Sequence, residues 1–478
     1  MIPLSFQRSV RCILPVLLLC AACAQDSGSG GKQESTGERW NVVLLLVDTL
    51  RADHLGTYGY HRETSPNFDA LARESVLFEQ AVAQAGCTFP SVNSLLTSRY
   101  PALFIQAEGR YMGIPEDVPS LPRILKANGY TTVAVSASPM VADNPTDFNP
   151  DGGFGGGFDI FYEGCQWDPA DCIHRRTKKL LERLEEPFFL YLHYMEPHGP
   201  YHPPQSHQRR FARPYQGKDF IAAGNPNPIA KMLYSNGPKV EVTPRDLEHL
   251  MDLYDEEILY FDGQLAQLLG QLRQTGKLER TLLILASDHG EEFLEKEHIK
   301  HCRSVYQTLI HTPLLIRLPG ESSHERTGQR IPGPVSNLDI VPTVLDYLGI
   351  DATPYAFEGQ SLRGLFEGRL EGRLEGTSDR HPETARAFAA QRYSRTLIEG
   401  EYKVIVDFEN PDVRRQALYN LAEDPAETHP LEQQEPERFR RLRRDLLEWV
   451  QKHEGDAERG VRAAEEAEKQ LKALGYLQ

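Results

Sequence analysis

The sequence carries fewer basic than acidic residues: 52 Lys and Arg stand against 68 Asp and Glu among 478 residues, which leaves a formal charge of −16 at pH 7. Nucleic acids and anionic membrane surfaces are bound through clustered positive charge. The acidic balance therefore argues against a partner of either kind. A hydrophobic share of 40% excludes disorder throughout the chain. The length allows two or three domains, or one large α/β domain with an appendage.

The apolar run near the N-terminus is too short to cross a membrane as a permanent helix. It follows Arg8 and Arg11 and ends at Leu19, before two alanines and Cys23. This order is typical of a signal peptide over residues 1–22. The Leu-Cys-Ala-Ala-Cys stretch resembles a bacterial lipobox, which predicts lipidation at Cys23. Because Cys20 stands where a lipobox usually has Leu, simple secretion remains the alternative.

Cysteine is scarce, and no cysteine spacing matches a zinc ribbon. Four cysteines lie beyond the signal region and Cys23: Cys87, Cys165, Cys172 and Cys302. Two cysteines close together in an exported protein favour a disulfide over a metal pair, so Cys165 and Cys172 are expected to pair. The spacing alone does not decide the connectivity.

Continuous apolar runs alternate with helical patterns along most of the chain. Strands are expected at 41–47, 131–137, 187–193, 281–286 and 313–318, and a long amphipathic helix at 245–275. This alternation predicts an α/β fold with a large doubly wound, mostly parallel sheet flanked by helices. Beyond it, short strands at 394–398, 402–407 and 417–420 and a charged helix at 436–452 predict a small antiparallel subdomain.

Composition and pattern suggest five segments: a signal peptide at 1–22, a flexible tether at 23–39, the main α/β domain at 40–366, a low-complexity linker at 367–380, and a C-terminal subdomain with a helical tail at 381–478.

Acidic and imidazole side chains follow two of the expected strands. Asp48 comes directly after the first, and Asp288 and His289 follow the run at 281–286. Each Asp alone is best interpreted as a helix cap. Together, carboxylates at neighbouring buried strand ends are costly without a compensating cation, so the set predicts a metal site.

Several blocks, in order, resemble the sulfatase family of the alkaline phosphatase superfamily. They are LLLVDTLRADHLGTYGY (44–60), TFPSVNSLLTSRYP (88–101), FFLYLHYMEPHGPYHPP (188–204), SDHGEE (287–292), HTPLLIRLPG (311–320) and LYNLAEDPAETHPL (418–431). The resemblance implies that Asp48, Asp288, His289 and the nucleophile hold one divalent cation. It also implies active-site roles for His198 and His301. For His193, His202 and His298 a structural role is the better interpretation.

The nucleophile position departs from the family pattern, in which Cys-x-Pro-x-Arg supplies a cysteine that is oxidised to formylglycine. Alignment through Pro90 puts Thr88 at the nucleophile position and Val92 at the arginine, with Cys87 one residue too early. Formylglycine is therefore not expected, and Cys87→Ser should be nearly silent. Residues 136–139 (Ser-Ala-Ser-Pro) stand where the family usually has Gly-Lys-Trp-His. A second lysine that the family has later in the chain is interpreted as replaced near His301.

The resemblance implies a metal-dependent hydrolase of sulfate esters in which the Thr88 hydroxyl attacks. Hydrolysis or transfer of phosphate esters through Thr88 is the alternative, and a non-catalytic lipoprotein that binds glycans is another. Ca²⁺ or Mg²⁺ is favoured by oxygen ligands, whereas a His ligand also admits Mn²⁺ or Zn²⁺. The expected partner is a small-molecule or glycan ester. The expected location is the bacterial envelope, facing the periplasm or exterior, with membrane contact only through a lipid anchor.

Overall fold

The computed structural model describes residues 39–102, 113–167, 169–217, 242–320, 328–367, 385–391, 393–408 and 416–454. All of these belong to one unit that begins at Arg39. The predicted signal peptide, the lipidation site Cys23, the tether, most of the linker and the tail beyond residue 454 lie outside them. Within the described ranges, no helix is both long and apolar enough to cross a bilayer.

The main sheet has eight strands in the order β10-β2-β9-β6-β1-β5-β3-β4. Their bounds are β1 Asn41–Val47, β2 Val76–Val82, β3 Thr131–Ser136, β4 Ile160–Tyr162, β5 Phe188–Tyr194, β6 Thr281–Ser287, β9 His311–Arg317 and β10 Arg330–Ser336. Among these, β9 alone runs antiparallel to its neighbours. The mostly parallel sheet confirms the expected fold class. A separate two-stranded sheet is formed by β7 Glu292–Phe293 and β8 Ile299–Lys300.

The central strands are buried on both faces, as their continuous apolar sequences predict. Every residue of β1, β5 and β6 is buried. Two apolar clusters pack against the two faces of the main sheet. Val42 and Leu44 of β1 belong to one cluster, and Val43 and Leu45, which point to the opposite face, belong to the other. The helices that flank the sheet are α1 Pro66–Arg73, α2 Thr88–Thr97, α3 Leu121–Ala127, α4 Ala170–Leu181, α5 Pro244–Gln274, α6 Gln307–Ile310, α7 Ile340–Tyr347 and α8 Arg363–Phe366.

The smaller sheet is antiparallel and has four strands, β11 Arg386–Gln391, β12 Ser394–Glu399, β13 Tyr402–Asp407 and β14 Gln416–Asn420. Helix α9, Pro436–Glu454, covers one face through Leu442 and Leu446. The other face meets the main domain, where Ala387 and Ile398 join a cluster with Val82 and Leu309. The predicted antiparallel subdomain is therefore present, and it lies against the region that carries the site.

Candidate active site

Three polar side chains meet where the central parallel strands end. Val47, the last residue of β1, lies in register with Tyr194 of β5 and Ser287 of β6. The next residues after β1 and β6, Asp48 and Asp288, therefore lie side by side. His193 precedes Tyr194 in β5 and joins them. Carboxyl ends of parallel strands are where α/β sheets bind ligands.

The three side chains form a group suited to a cation. One ligand atom from each of Asp48, His193 and Asp288 can be chosen so that all lie within 4.8 Å of one another, and all three residues are buried. Among the described residues, Asp48 Oδ1, Asp288 Oδ2 and His193 Nε2 have no hydrogen-bond partner. Buried polar atoms normally have partners. A metal ion would supply the missing one, so the donor set fits the divalent cation that the sequence predicts.

The electrostatics agree with this interpretation. Burial raises the pKa of Asp48 to about 6, and burial together with repulsion from Asp48 raises the pKa of Asp288 to about 6. Burial lowers the pKa of His193 to about 4, so its imidazole is neutral and can act as a ligand. The sequence analysis favoured a structural role for His193. The structure instead places this side chain 3.4 Å from Asp48, from Nε2 to Oδ2.

His289 lies between the carboxylates and Thr88. Its Nε2 is 3.5 Å from Asp288 Oδ2, 3.8 Å from Asp48 Oδ1 and 3.2 Å from Thr88 Oγ1. Burial opposes protonation of His289, but the two carboxylates together raise its pKa. The turn that follows needs glycine, since a Cβ at Gly290 would collide with the backbone of Thr308. The sequence-predicted ligands are thus brought together.

Thr88 is the first residue of α2, a helix whose ten residues are all buried. A hydrogen bond joins this helix to the segment after β6, because Ser91 Oγ donates to the Asp288 carbonyl at 2.6 Å. Val92, at the family's arginine position, is fully buried and belongs to the apolar core. The helix therefore presents a hydroxyl to the site without the arginine that accompanies formylglycine.

A second wall of the site is formed by His301 and His198. Ring centroids are 4.7 Å apart for His289 and His301 and 5.1 Å apart for His301 and His198. Glu291 Oε1 lies 2.8 Å from His301 Nδ1, and Tyr201 donates a hydrogen bond of 2.9 Å to the other oxygen. Burial alone would raise the pKa of Glu291, but His301 and its neighbours lower it to about 2. The carboxylate orients His301 so that Nε2 is left for the pocket.

Sequence reasoning gave Glu291 no role, although it lies within the SDHGEE block. Its place two residues after the predicted ligands Asp288 and His289 is the feature of the sequence that could have identified it. Lys300 was also missed, since the later lysine was interpreted as replaced. Burial lowers the pKa of Lys300, and its charge in turn contributes to the lowered pKa values of Glu291 and His198. The charge of this lysine therefore acts on Glu291 and His198.

Two disulfides are present in the described chain. Cys165 pairs with Cys172, which confirms the expected pair. Cys87 pairs with Cys302 across 215 residues of sequence. The cysteine next to Thr88 is therefore bonded to another cysteine, and it is not a free thiol available for oxidation to an aldehyde.

The model of the sulfatase family, described as "Sulfatase", matches residues 40–350. The chain belongs to the sulfatase family. A second model, "N-sulphoglucosamine sulphohydrolase, C-terminal", matches residues 297–454, which include the four-stranded sheet and α9. The sulfatase match covers both strand ends that carry Asp48 and Asp288, together with helix α2.

Individual relatives of this sulfatase-family chain are distant. Iduronate 2-sulfatase from Homo sapiens is 26% identical over 365 residues, which cover 64% of each protein. The chain thus matches somewhat less than two thirds of that relative. The phosphonate monoester hydrolase of Agrobacterium radiobacter is similar in structure, with a TM-score of 0.68 at 20% identity over 87% of this chain and 96% of that one. A structure solved in complex with its substrate D-glucosamine-2-N,6-O-disulfate has a TM-score of 0.67 at 18% identity, over 88% and 99%.

Proposed function

We propose that this protein is a metal-dependent hydrolase of sulfate esters. The observation that supports this proposal is a set of three buried ligand atoms, on Asp48, His193 and Asp288, that have no hydrogen-bond partner among the described residues. The Thr88 hydroxyl lies beside the adjoining His289. A binding protein without catalysis would gain little from two buried carboxylates whose charged forms are disfavoured. The non-catalytic alternative is therefore weaker.

The reaction would proceed through Thr88 in two displacements. A divalent cation bound by the oxygens of Asp48, Asp288 and Thr88 and by the imidazoles of His193 and His289 would act as a Lewis acid. It would favour loss of the Thr88 hydroxyl proton to solvent and would neutralise an ester oxygen. Thr88 Oγ1 forms a bond to sulfur while the bond from sulfur to the alcohol oxygen breaks. His301, held by Glu291 at Nδ1, gives the alcohol its proton from Nε2. Water then gives a proton to His301 Nε2 and attacks the sulfur, the bond from sulfur to Thr88 Oγ1 breaks, and hydrogen sulfate leaves. Thr88 and His301 are thereby returned to their starting states.

Two further features would stabilise negative charge on the substrate. Helix α2 begins at Thr88, so its N-terminus adjoins the site that Thr88 borders, and a helix N-terminus favours an anion. His198 Nδ1 is buried without a partner among the described residues, so it can accept a hydrogen bond or donate one to an ester oxygen. The positive charge of Lys300, which acts on His198 and Glu291, would add to this stabilisation.

Two carboxylates and a hydroxyl oxygen favour Ca²⁺ or Mg²⁺ at this site. The imidazoles of His289 and His193 leave Mn²⁺ and Zn²⁺ as alternatives. For the substrate we propose a sulfated sugar, because one structural neighbour was solved with its substrate D-glucosamine-2-N,6-O-disulfate.

Phosphate or phosphonate esters are the second candidate. Thr88 replaces the aldehyde-forming cysteine, and the Agrobacterium radiobacter neighbour is a phosphonate monoester hydrolase. The two candidates are separated by kcat/KM on matched pairs, 4-nitrophenyl sulfate against 4-nitrophenyl phosphate and glucosamine 6-sulfate against glucosamine 6-phosphate. A higher value for the sulfates supports the proposal. A higher value for the phosphates favours the second candidate, and no turnover of any ester contradicts both.

We also propose that the protein is exported and lipid-anchored through Cys23, so that it faces the periplasm or exterior. Cys23→Ser is expected to move the protein from the membrane fraction to the soluble fraction, with the thermal midpoint unchanged, because the Gly/Ser segment separates the anchor from the domain. Fractionation of cells that express each form measures this. A Cys23→Ser protein that stays with the membrane would contradict the anchor.

A further inference from the structure

Trp167 is an exposed aromatic side chain at the border of the site. With 41% of its surface accessible, it is one of two large hydrophobic residues that are exposed in the described chain, the other being Ile160. Its ring centroid lies 5.7 Å from that of His198 and 5.5 Å from that of Phe148, against which it stands edge to face. Apolar surface that is exposed to water beside a site of polar side chains is typical of a ligand-binding surface.

The segment that carries Trp167 is held in place. The disulfide between Cys165 and Cys172 closes the loop around it, and the Trp167 N–H donates a hydrogen bond of 3.1 Å to the Ala137 carbonyl, just after β3. Trp167 has φ 58°, a left-handed conformation that is a clear exception for a bulky aromatic residue. Such conformations persist where the surroundings impose them and concentrate at ligand sites.

A series of contacts connects Thr88 with Trp167 through three histidine rings, and the exposure of the side chains rises from the first histidine to Trp167. Next to Thr88 is His289, which is fully buried. His301 is 9% exposed, His198 is half-buried, and Trp167 is exposed. If the sulfate group lies at Thr88, as the proposed function requires, the alcohol part of the ester extends along this line towards solvent. The indole therefore borders the place where that alcohol lies.

We infer that Trp167 forms a subsite for the alcohol part of the substrate, and that this part contains a six-membered ring. The indole face suits the C–H face of a pyranose or the face of an aryl group, either of which would be shielded from water on stacking. This inference rests on the proposed function, and it adds that the ester is carried by a ring.

The test compares Trp167→Ala and Trp167→Phe with Ile160→Ala as the control. We expect Trp167→Ala to lower kcat/KM about tenfold, through KM, on glucosamine 6-sulfate, on 4-nitrophenyl sulfate, or on both. Trp167→Phe should keep most of the activity, and Ile160→Ala all of it. The inhibition constant of free sulfate, which has no ring, should not change in any variant.

The two ring esters distinguish the sources of the ring. A loss confined to glucosamine 6-sulfate indicates a glycan, and a loss confined to 4-nitrophenyl sulfate indicates an aryl group. Unchanged kcat/KM on both esters in Trp167→Ala overturns the subsite, as does an equal rise in the inhibition constant of sulfate. Failure of the proposed function looks different, because the unaltered protein would then hydrolyse no sulfate ester.

A second, independent observation concerns the disulfide next to Thr88. The Cα atoms of Cys87 and Cys302 are 4.7 Å apart, and the Cys302 N–H donates a hydrogen bond of 2.7 Å to the Gly86 carbonyl. The neighbours of these cysteines in sequence are Thr88 and His301. One covalent bond thus joins the segment that carries the nucleophile to the segment that carries the proposed acid.

A glutamine from the small C-terminal sheet reinforces the same junction. Gln391, the last residue of β11, accepts a hydrogen bond of 3.1 Å from the Gly86 N–H and donates one of 3.1 Å to the Cys302 carbonyl. Its side chain is 8% exposed. Next to it, the Ala390 N–H donates to the Gln84 carbonyl at 2.9 Å. The C-terminal sheet therefore contacts both segments through one amide.

We propose that the Cys87–Cys302 disulfide and Gln391 position Thr88 against His301 for the reaction. Displacement of a reacting group by about 1 Å can cost on the order of a hundredfold in rate. The sequence-based prediction that Cys87→Ser is nearly silent took no account of this bond. These residues do not touch the substrate in this account, and they act through Thr88 and His301.

The test uses the double variant Cys87→Ser/Cys302→Ser and the single variant Gln391→Leu, with Gln416→Leu as control. Gln416 lies in β14 of the same sheet and accepts a hydrogen bond from Arg443. We expect kcat to fall about a hundredfold in the double variant and severalfold in Gln391→Leu, with KM and bound metal unchanged. Gln416→Leu should keep kcat. Unchanged kcat in Gln391→Leu, or losses that follow loss of metal, would overturn the positioning role even if the double variant does not fold.

Discussion

Thr88→Ala is expected to lower kcat by at least about three orders of magnitude, because the change removes both the proposed nucleophile and a metal-contacting oxygen. The hydroxyl lies 3.2 Å from His289 Nε2 at the start of a fully buried helix. Steady-state kinetics on 4-nitrophenyl sulfate measures the effect. Thr88→Ser keeps a hydroxyl and should retain part of the rate.

Thr97→Ala is the matched control for Thr88→Ala. Thr97 is in the same helix, is equally buried, and donates its hydroxyl to the Asn93 carbonyl at 2.6 Å, inside the helix. Its replacement should cost about 1 kcal/mol of stability and leave kcat unchanged. Equal losses of kcat in Thr88→Ala and Thr97→Ala would show that the helix as a whole is sensitive, and would contradict a chemical role for Thr88.

Asp288→Ala should abolish metal binding and turnover together. Asp288 Oδ2 is one of the three buried atoms without a partner, so its removal deletes a ligand from the site. A bound ligand stabilises the folded state by mass action, by about 2.7 kcal/mol at a hundred times its dissociation constant. The unaltered protein should therefore lose thermal stability when a chelator is added, and Asp288→Ala should show no such shift.

His202→Ala serves as the control for Asp288→Ala. His202 is an exposed histidine, for which the sequence analysis favoured a structural role. It should keep full metal content by elemental analysis, the thermal shift with chelator, and kcat. Metal content in Asp288→Ala equal to that of the unaltered protein would remove the basis of the site assignment.

The sequence predicted the parts of the fold that are apolar and continuous. The strands β1, β5 and β6 are buried on both faces. Their sequences are therefore mostly apolar and do not alternate between polar and apolar residues, which makes them recognisable as strands of a parallel sheet. The strand β2 was not predicted because two polar residues, Glu79 and Gln80, interrupt its apolar sequence; both are partly buried in the structure. The strand β10 contains Pro332, Gly333 and Pro334, which read as a turn, and its register shifts between Ile331 and Pro334.

The site was predictable where its residues stand at strand ends, and less so elsewhere. Asp48, Asp288 and His289 follow recognisable strands. His193 lies inside β5, where an imidazole could equally have been a core residue, and only the register with β1 brings it to Asp48. The disulfide between Cys87 and Cys302 depends on tertiary contacts across 215 residues, which no local pattern contains.

The sequence blocks follow the order of the sulfatase family, but residues at the nucleophile position differ from the family pattern. These differences change the mechanism that the resemblance implies. Thr88 and Val92 replace the cysteine and arginine of the formylglycine motif, and the structure buries Val92 in the core. Cys87 is close to the motif in sequence, yet it is occupied in a disulfide. Proximity in sequence therefore did not identify the chemistry at this position.

The most direct test of the account is peptide mass spectrometry on the protein from its native host, before substrate and after rapid quenching during turnover of a sulfate ester. In the resting protein, the account predicts an unmodified Thr88 and a Cys87 peptide linked to the Cys302 peptide. During turnover it predicts one sulfuryl group on Thr88. A Cys87 peptide that carries an aldehyde in place of the thiol, with no sulfuryl group on Thr88, would contradict the account and assign the attack to formylglycine.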